Sequence, residues 1–424
     1  FAKRAATELK TALDKVVATE LPLKAAPAAD WTGPRIVFAK TVRTDVTNAG
    51  FAQTADGQSV TLAAKTGMGA DNAVIEFLRR YADYWYVTVL GDDPVVVNPL
   101  AAVPSGAFVW NPAIPFRDFF SGREDGRRYP KTIGLWRDFL RHTRVTVENN
   151  EMENENRLSW ACGNDCHTSY LYCDPKKYFK DHPEYFSMTA DGKRQCQPTG
   201  QICYTNPKTY EIVRESLLSF IEKDRAENPA NYPTIYDFSQ QDNTDWLCFC
   251  PDCKKVIAKH NRVPGGNKEG GDTGLQLEFV NRLAGEARAK WPDVVLRTMA
   301  YVSTSELSAD GLKPEPNVLV WVCDMYGESD HQLPLEHPFN AARAKVVRDW
   351  SPLAPIEMWD YFLYDDTIPE VFLDALKADA AFFAANRVKR LFHETRYNDQ
   401  AFFEFNVFCA GALSCDQTVD PEML

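Results

Sequence analysis

Residues 234–243 read Thr-Ile-Tyr-Asp-Phe-Ser-Gln-Gln-Asp-Asn, a β-branched and aromatic run that breaks off in hydrogen-bonding side chains. The first half predicts a buried strand. The second half leaves Asp242 among neutral amides and a hydroxyl, a setting that does little to hold a carboxyl ionised. Glu394 has the opposite surroundings, lying between His393 and Arg396, two cations that favour its charged form if they are close. Two carboxyl groups in opposed environments are what general acid/base cleavage of a glycosidic bond requires. Asp242 and Glu394 are therefore the preferred catalytic pair. Asp360, within Met358-Trp-Asp-Tyr361, is the third candidate. A separation of about 5–5.5 Å would suit a retaining mechanism and roughly 6.5–9.5 Å an inverting one.

Around these carboxylates the sequence offers groups that bind sugar hydroxyls and ring faces. Arg117, His167, Asn206, Asn243, Tyr301, Asp324, Trp359, Tyr361 and His393 all fall at or just past the ends of expected strands. This mixture of amides, aromatics and a few charges fits a carbohydrate crevice, and no Gly-rich phosphate loop occurs near it. The plainer alternatives are that Asp242 caps a loop, Glu394 pairs with Arg396, and Trp359 and Tyr361 are core aromatics.

Three cysteines follow directly, Cys248-x-Cys250-x-x-Cys253. The spacing is tight enough for a structural metal knuckle, such as zinc, if Cys173, Cys203 or another residue adds a fourth ligand. In an export compartment disulfides are the favoured reading of the same residues. Neither places cysteine in the chemistry, and the expected hydrolysis needs no cofactor.

The elements that must position these residues change character near residue 104. Residues 1–104 predict a small α+β domain and linker, with helices at 5–17 and 71–81 and strands at 35–40, 59–64 and 84–89. Residues 105–424 alternate strand, loop and helix. Strands are expected at 114–120, 157–161, 201–204, 234–238, 295–300, 318–323, 356–361 and 390–393. Helices are expected at 135–143, 210–225, 275–290, 340–350, 369–386 and 399–413. Eight strands in this alternation predict a parallel (β/α)8, or TIM, barrel, whose sites gather at the carboxyl ends of the strands. Residues 416–424 read as the start of a further segment.

Composition narrows the partners. The 424 residues carry a net charge of −12, a field that repels nucleic-acid phosphates and anionic lipid. No apolar run reaches the roughly 18 residues that predict a membrane helix. Aromatic residues make up 12%, a surplus that suits stacking on pyranose rings. Eleven cysteines, eight of them between residues 162 and 253, and a chain that opens at Phe1 without Met make a secreted, periplasmic or surface protein with its leader removed an expectation.

Several runs resemble a known group: His182-Pro-Glu-Tyr-Phe186, Asp191-Gly-Lys-Arg194, Cys203-Tyr-Thr-Asn-Pro207, the Gln-Asp-Asn and Cys-x-Cys-x-x-Cys stretch, Phe279-Val-Asn281, Thr298-Met-Ala-Tyr301 and Trp359-Asp-Tyr361. Together they are similar to the secreted bacterial family called domain of unknown function 4838, over Arg117 to about Leu424. The first hundred residues resemble the domain that precedes the barrels of alpha-glucuronidases and beta-hexosaminidases. The resemblance implies a TIM-barrel glycoside hydrolase relative; part of the family is classed as glycoside hydrolase family 163, acting on N-acetylglucosamine in complex N-glycans. Beta-hexosaminidases carry an Asp-Glu pair after the fourth strand and use the substrate's acetamido group as nucleophile. Here the matching place reads Gln241-Asp242, so such a mechanism would need Glu394 or Asp360 as its other carboxylate. The rival from another class is a non-catalytic glycan-binding protein on the same scaffold.

Overall fold

The computed structural model describes residues 2–17, 19, 21–25, 31–85, 95–100, 102–121, 139–144, 157–196, 200–242, 246–260, 262, 271–323, 331–361, 373–395, 402–416 and 418–419. Contacts divide the chain into two units. The first holds Phe1–Glu153, Leu363–Ala384 and Glu394–Leu424; the second holds Asn154–Phe362 and Ala385–His393.

In the first unit, strands β1 (Arg35–Lys40), β2 (Phe51–Ala55) and β3 (Ser59–Ala64) form a sheet ordered β1-β3-β2-β6. Two-residue strands β4 (Tyr84–Trp85) and β5 (Val95–Val96) pair with each other. The sheet's fourth strand, β6 (Gly106–Trp110), comes from beyond residue 104 and pairs antiparallel with β2. β2 and β6 went unread because Phe51-Ala-Gln-Thr-Ala55 and Gly106-Ala-Phe-Val-Trp110 dilute their apolar residues with small and polar ones. The helices Lys3–Val17 and Gly67–Phe77 supply Leu9, Val74 and Phe77 to a core shared with Phe51, Leu62 and Trp110. Thr66 caps the second helix by accepting from Gly69 N–H at 3.1 Å. A Cβ on Gly69 would lie 2.4 Å from the Gly50 carbonyl oxygen, so only glycine lets this helix approach the sheet so closely. β7 (Phe116–Ser121) also belongs to this unit.

The second unit is built on β8 (Ile235–Asp237), β9 (Val295–Ala300), β10 (Val318–Cys323), β11 (Ile356–Tyr361) and β12 (Val388–Thr395, whose last two residues fall in the first unit), in the order β12-β11-β10-β9-β8. The pairs β8–β9, β9–β10 and β10–β11 are parallel. All six residues of β10 are buried, as expected of a central strand covered on both faces. Helices Pro207–Glu227, Pro251–Lys259, Thr273–Lys290 and Ala341–Trp350 belong to the same unit.

Two expected barrel strands form differently. Of 157–161, only Leu158 makes a parallel bridge, to Ile235. Residues 201–204 lie outside the parallel sheet, because Ile202 bridges Phe186 antiparallel and Cys203 N–H donates to the Tyr185 carbonyl at 2.8 Å. Among the described residues, six of the eight expected strands form, β7 in the first unit and β8 to β12 in this one, and the Leu158 bridge lies beside β8. The helix Pro251–Lys259 was not anticipated; its Cys and Lys residues hid its periodicity.

Candidate active site

The segment after β8 is fixed on every side except at Asp242. Ser239 N–H donates to Thr168 Oγ1 at 3.1 Å, and Ser169 N–H to the Ser239 carbonyl at 2.9 Å. The Gln240 amide donates to Thr304 Oγ1 at 2.9 Å and accepts from Gln276 at 2.7 Å. Gln241 is gripped through its backbone: its N–H donates to Gln201 Oε1 at 2.9 Å, and its carbonyl accepts from Gln201 Nε2 at 3.0 Å. The Gln241 side chain turns inward to the His167 carbonyl at 2.6 Å. Each such bond contributes about 1 kcal/mol net, and more is lost if one buried partner is removed. Ser239 and Gln240 are buried, whereas the Asp242 side chain is 70% exposed. An exposed carboxylate on a rigid loop is positioned to meet a ligand.

Two side chains address that carboxylate. Tyr301, at the end of β9 and itself buried, donates its hydroxyl to Asp242 Oδ1 at 3.1 Å. His167 Nε2 stands 3.8 Å from the same oxygen. His167 Nδ1 lies 2.8 Å from the Gln240 carbonyl, which can only accept, so Nδ1 carries a proton and the ring is oriented with Nε2 toward Asp242. Both contacts fall on Oδ1, which leaves Oδ2, among the described residues, for a ligand. The backbone is left-handed at His167 (φ 51°) and at Val302 (φ 45°), next to Tyr301. A β-branched residue in that region is a true outlier, and strain of this kind concentrates where geometry is imposed for function.

Beneath the loop lies a buried charge network that the sequence reading did not single out. Arg297 on β9 donates to Asp237 on β8 at 2.9 Å and to both oxygens of Glu357 on β11 at 3.1 Å, and a third donor reaches the Asp165 carbonyl. Arg390 on β12 reaches Glu357 at 3.0 Å. The Arg297 guanidinium also stacks 3.7 Å above the Trp321 ring. Burial raises the Glu357 carboxyl, but the two guanidiniums outweigh it and hold it below the ordinary range. Burial pushes Asp237 up, against Arg297 and the Ser239 and Thr168 hydroxyls. Thr168 donates to Asp237 Oδ1 at 3.0 Å. The network thereby ties the His167 segment to the strand that leads to Asp242. The available signal was a charged residue in the middle of the apolar run Val294-Val-Leu-Arg-Thr-Met299.

The other expected site residues are distributed. Trp359 and Tyr361 alternate onto the face that carries Trp321, with ring centroids of Trp321 and Trp359 4.6 Å apart. That face includes Tyr301. Asp360 points to the opposite face, where His393 Nδ1 lies 2.8 Å away. The pair Asp360 and His393 is thus an internal one rather than a catalytic carboxylate with a sugar ligand beside Asp242. Asn206 caps the helix Pro207–Glu227, accepting from Lys208 and Thr209 N–H at 2.9 and 3.1 Å; its amide serves the helix start instead of a sugar. Arg117 is buried and donates to the carbonyls of Arg144 and Ile114, an internal anchor in the first unit. Glu394, half-buried, also belongs to the first unit. Asn243, Asp324 and Arg396 lie outside the described residues. The sulfurs of Cys248, Cys250 and Cys253 gather with Cys203, and all eleven cysteines are unbridged.

Residues 101–424 match the family described as Domain of unknown function (DUF4838). The chain belongs to that family. No characterised protein matches this DUF4838 chain in a sequence comparison. Among solved structures it is similar to a family 89 glycoside hydrolase from Clostridium perfringens in complex with GlcNAc-alpha-1,4-galactose, at TM-score 0.51 and 11% identity over 99% of this chain and 49% of that one. It is also similar to a family GH115 4-O-methyl-alpha-glucuronidase, at TM-score 0.52 and 9% identity over 98% of this chain and 55% of that one. The Flavobacterium johnsoniae chitobiase matches at TM-score 0.50 and 11% identity over 97% and 63%. The DUF4838 chain spans about half the length of the Clostridium perfringens structure. At these identities the likeness establishes a shared scaffold, that of glycoside hydrolases. No helix among the described residues is long and apolar enough to cross a membrane.

Proposed function

We propose that this DUF4838 chain is a glycoside hydrolase whose scaffold is a (β/α)8-type barrel and whose Asp242 is the general acid to the glycosidic oxygen. The observation that carries the assignment is the exposed Asp242 carboxylate, held by Tyr301 and faced by His167 Nε2, directly after Ser239, Gln240 and Gln241, whose side chains are committed inward. Tyr301 orients Oδ1, His167 stands beside it, and the proton carried on Oδ2 passes to the glycosidic oxygen as the bond from that oxygen to the anomeric carbon breaks. Trp359, half-buried on the same face as Tyr301, supplies a surface for a sugar ring. Gln241 stands where a hexosaminidase would have its second carboxylate, and its amide is already bonded to His167 and Ser169. The second catalytic group is therefore a different carboxylate or the substrate's own acetamido oxygen. Support for an N-acetylglucosamine-containing substrate comes from the ligand and activity named for two of the similar structures. We also propose that the protein acts outside the cytoplasm, which fractionation of the native cells would test.

The deciding experiment compares wild type with Asp242→Asn on N-glycans and on aryl N-acetylglucosaminides and glucuronides, with binding measured in parallel. Turnover should fall by roughly 10²–10⁴ in the variant while binding persists. Binding without turnover in both proteins would establish a glycan-binding protein instead, and neither binding nor turnover across the panel would overturn both.

A further inference from the structure

Cys203, Cys248, Cys250 and Cys253 form a cluster that the proposed hydrolysis does not use. Their four Sγ atoms all lie within 4.8 Å of one another, and all four residues are buried. Cys203 Sγ is 3.7 Å from Cys250 Sγ and 4.0 Å from Cys253 Sγ. A tetrahedron of thiolates around zinc, with Zn–S of about 2.3 Å, has S···S edges of about 3.8 Å. A disulfide would hold two sulfurs at about 2.05 Å and pair them off. The cluster has the dimensions of the first arrangement.

The surroundings suit thiolates as well. Met188 N–H points at Cys248 Sγ at 3.3 Å, Cys250 N–H at Cys248 Sγ at 3.5 Å, and Cys253 N–H at Cys250 Sγ at 3.5 Å. Thr205 Oγ1 lies 3.2 Å from Cys253 Sγ. The Arg194 guanidinium, which donates to the Phe186 carbonyl at 2.6 Å, interacts electrostatically with Cys203, Cys248 and Cys250, which brings a positive charge to a centre that would carry a net charge of −2 with a divalent ion and four thiolates. Cys250 caps the nine-residue helix Pro251–Lys259, whose amino end adds to that field. With four protein ligands and no open position, such a centre is structural.

We propose that these four cysteines bind one zinc ion, which fastens the segment before the helix Pro207–Glu227 to the knuckle that follows the Asp242 loop. Gln201, two residues from Cys203, is the side chain that grips Gln241, and Cys248 lies six residues beyond Asp242. Zinc thus closes the loop from behind and keeps the Gln201 clamp in register. The site stands on its own geometry and is independent of the proposed hydrolysis.

The test is elemental analysis of the full chain, purified without a metal-affinity column and passed through chelating resin. Close to one zinc per chain is expected, released when a mercurial titrates the thiols. Cobalt exchanged into the protein should give the intense visible bands of a tetrahedral tetrathiolate centre. Cys250→Ser should lose most of the metal, while Cys409→Ser, a buried cysteine outside the cluster, should retain it. If Cys250→Ser fails to fold, the zinc content and cobalt spectrum of wild type still decide. Iron in place of zinc, no metal with four reactive thiols, or disulfides among these residues on non-reducing peptide mapping would each overturn the proposal.

Discussion

Gln201 and Gln241 hold each other by two hydrogen bonds, the Gln201 amide spanning both the N–H and the carbonyl of Gln241 at 2.9 and 3.0 Å. A single side chain thus replaces the neighbouring strand that a closed ladder would provide at this point. The Asp242 carboxylate is fixed one residue further on.

Gln201→Leu should disturb both quantities. It leaves two part-buried backbone groups without these partners, at a cost of up to about 1–3 kcal/mol each, and it loosens the base of Asp242. Denaturant unfolding should show the loss in stability. Turnover should fall more than the unfolded fraction accounts for; equal losses would assign Gln201 to stability alone.

Tyr301→Phe keeps the ring in its cluster with Met299, Trp321 and Phe392 and deletes only the hydroxyl that donates to Asp242. One lost hydrogen bond to a charged group is worth about 1.5–3 kcal/mol, which corresponds to a drop in kcat of roughly 10- to 100-fold. Stability should move by far less. Steady-state kinetics on the best substrate of the panel would measure it, and an unchanged kcat would remove Tyr301 from the mechanism.

Arg297→Met fills similar space but leaves Asp237 buried with no guanidinium beside it and Glu357 with Arg390 alone. Breaking a buried ion pair from one side costs about 3–5 kcal/mol, and Trp321 also loses its stacked cation. The doubly altered Arg297→Met, Asp237→Asn chain should recover part of that loss. A double-mutant cycle by chemical denaturation reads the coupling directly.

Asp272 provides a pH-dependent signal. It is buried at the start of the helix Thr273–Lys290 and accepts from Leu247 N–H at 2.8 Å. Burial pushes its carboxyl up to about 7, against about 3.9 in an unfolded chain. Between these values the folded protein holds a proton that the unfolded chain has released. This contribution is therefore complete below about pH 4 and is lost as pH rises to about 7, by roughly 4 kcal/mol in all. Asp272→Asn retains an acceptor for Leu247 and has no charge to bury. Its stability relative to wild type should climb across that window, and parallel pH profiles would contradict the assignment.

What the sequence disclosed follows from how each residue is buried. The strands at 295–300, 318–323 and 356–361 are β-branched or aromatic on both faces, and the structure has them at those positions. Asp242 was legible because the strand before it ends abruptly in amides. Arg297, Glu357 and Arg390 were not, since charged residues alternating with apolar ones in a strand look like a solvent-facing edge; only the partner strands reveal that the charges cancel inside. Asn206 was misplaced because an Asn-Pro after an apolar run reads as a strand end, whereas it is a helix cap. The run 201–204 has strand-like residues but pairs with Phe186, a long-range choice that no local pattern encodes. The Cys-x-Cys-x-x-Cys spacing was visible, but Cys203 as its neighbour required the fold.

The left-handed backbone at Val302 bears on how this protein could be improved or could drift. Glycine there would relieve a steric penalty of about 1–2 kcal/mol, offset in part by the roughly 0.5–1 kcal/mol glycine costs through its greater freedom when unfolded. Selection for heat resistance alone has reason to accept that exchange. Selection for work done on a substrate has reason to refuse it, because Val302 opens the turn Val302–Thr304, whose Thr304 hydroxyl accepts from the Tyr301 N–H at 3.1 Å. A residue that lowers stability while holding its neighbour in place is where a stability–activity trade-off is written into a chain.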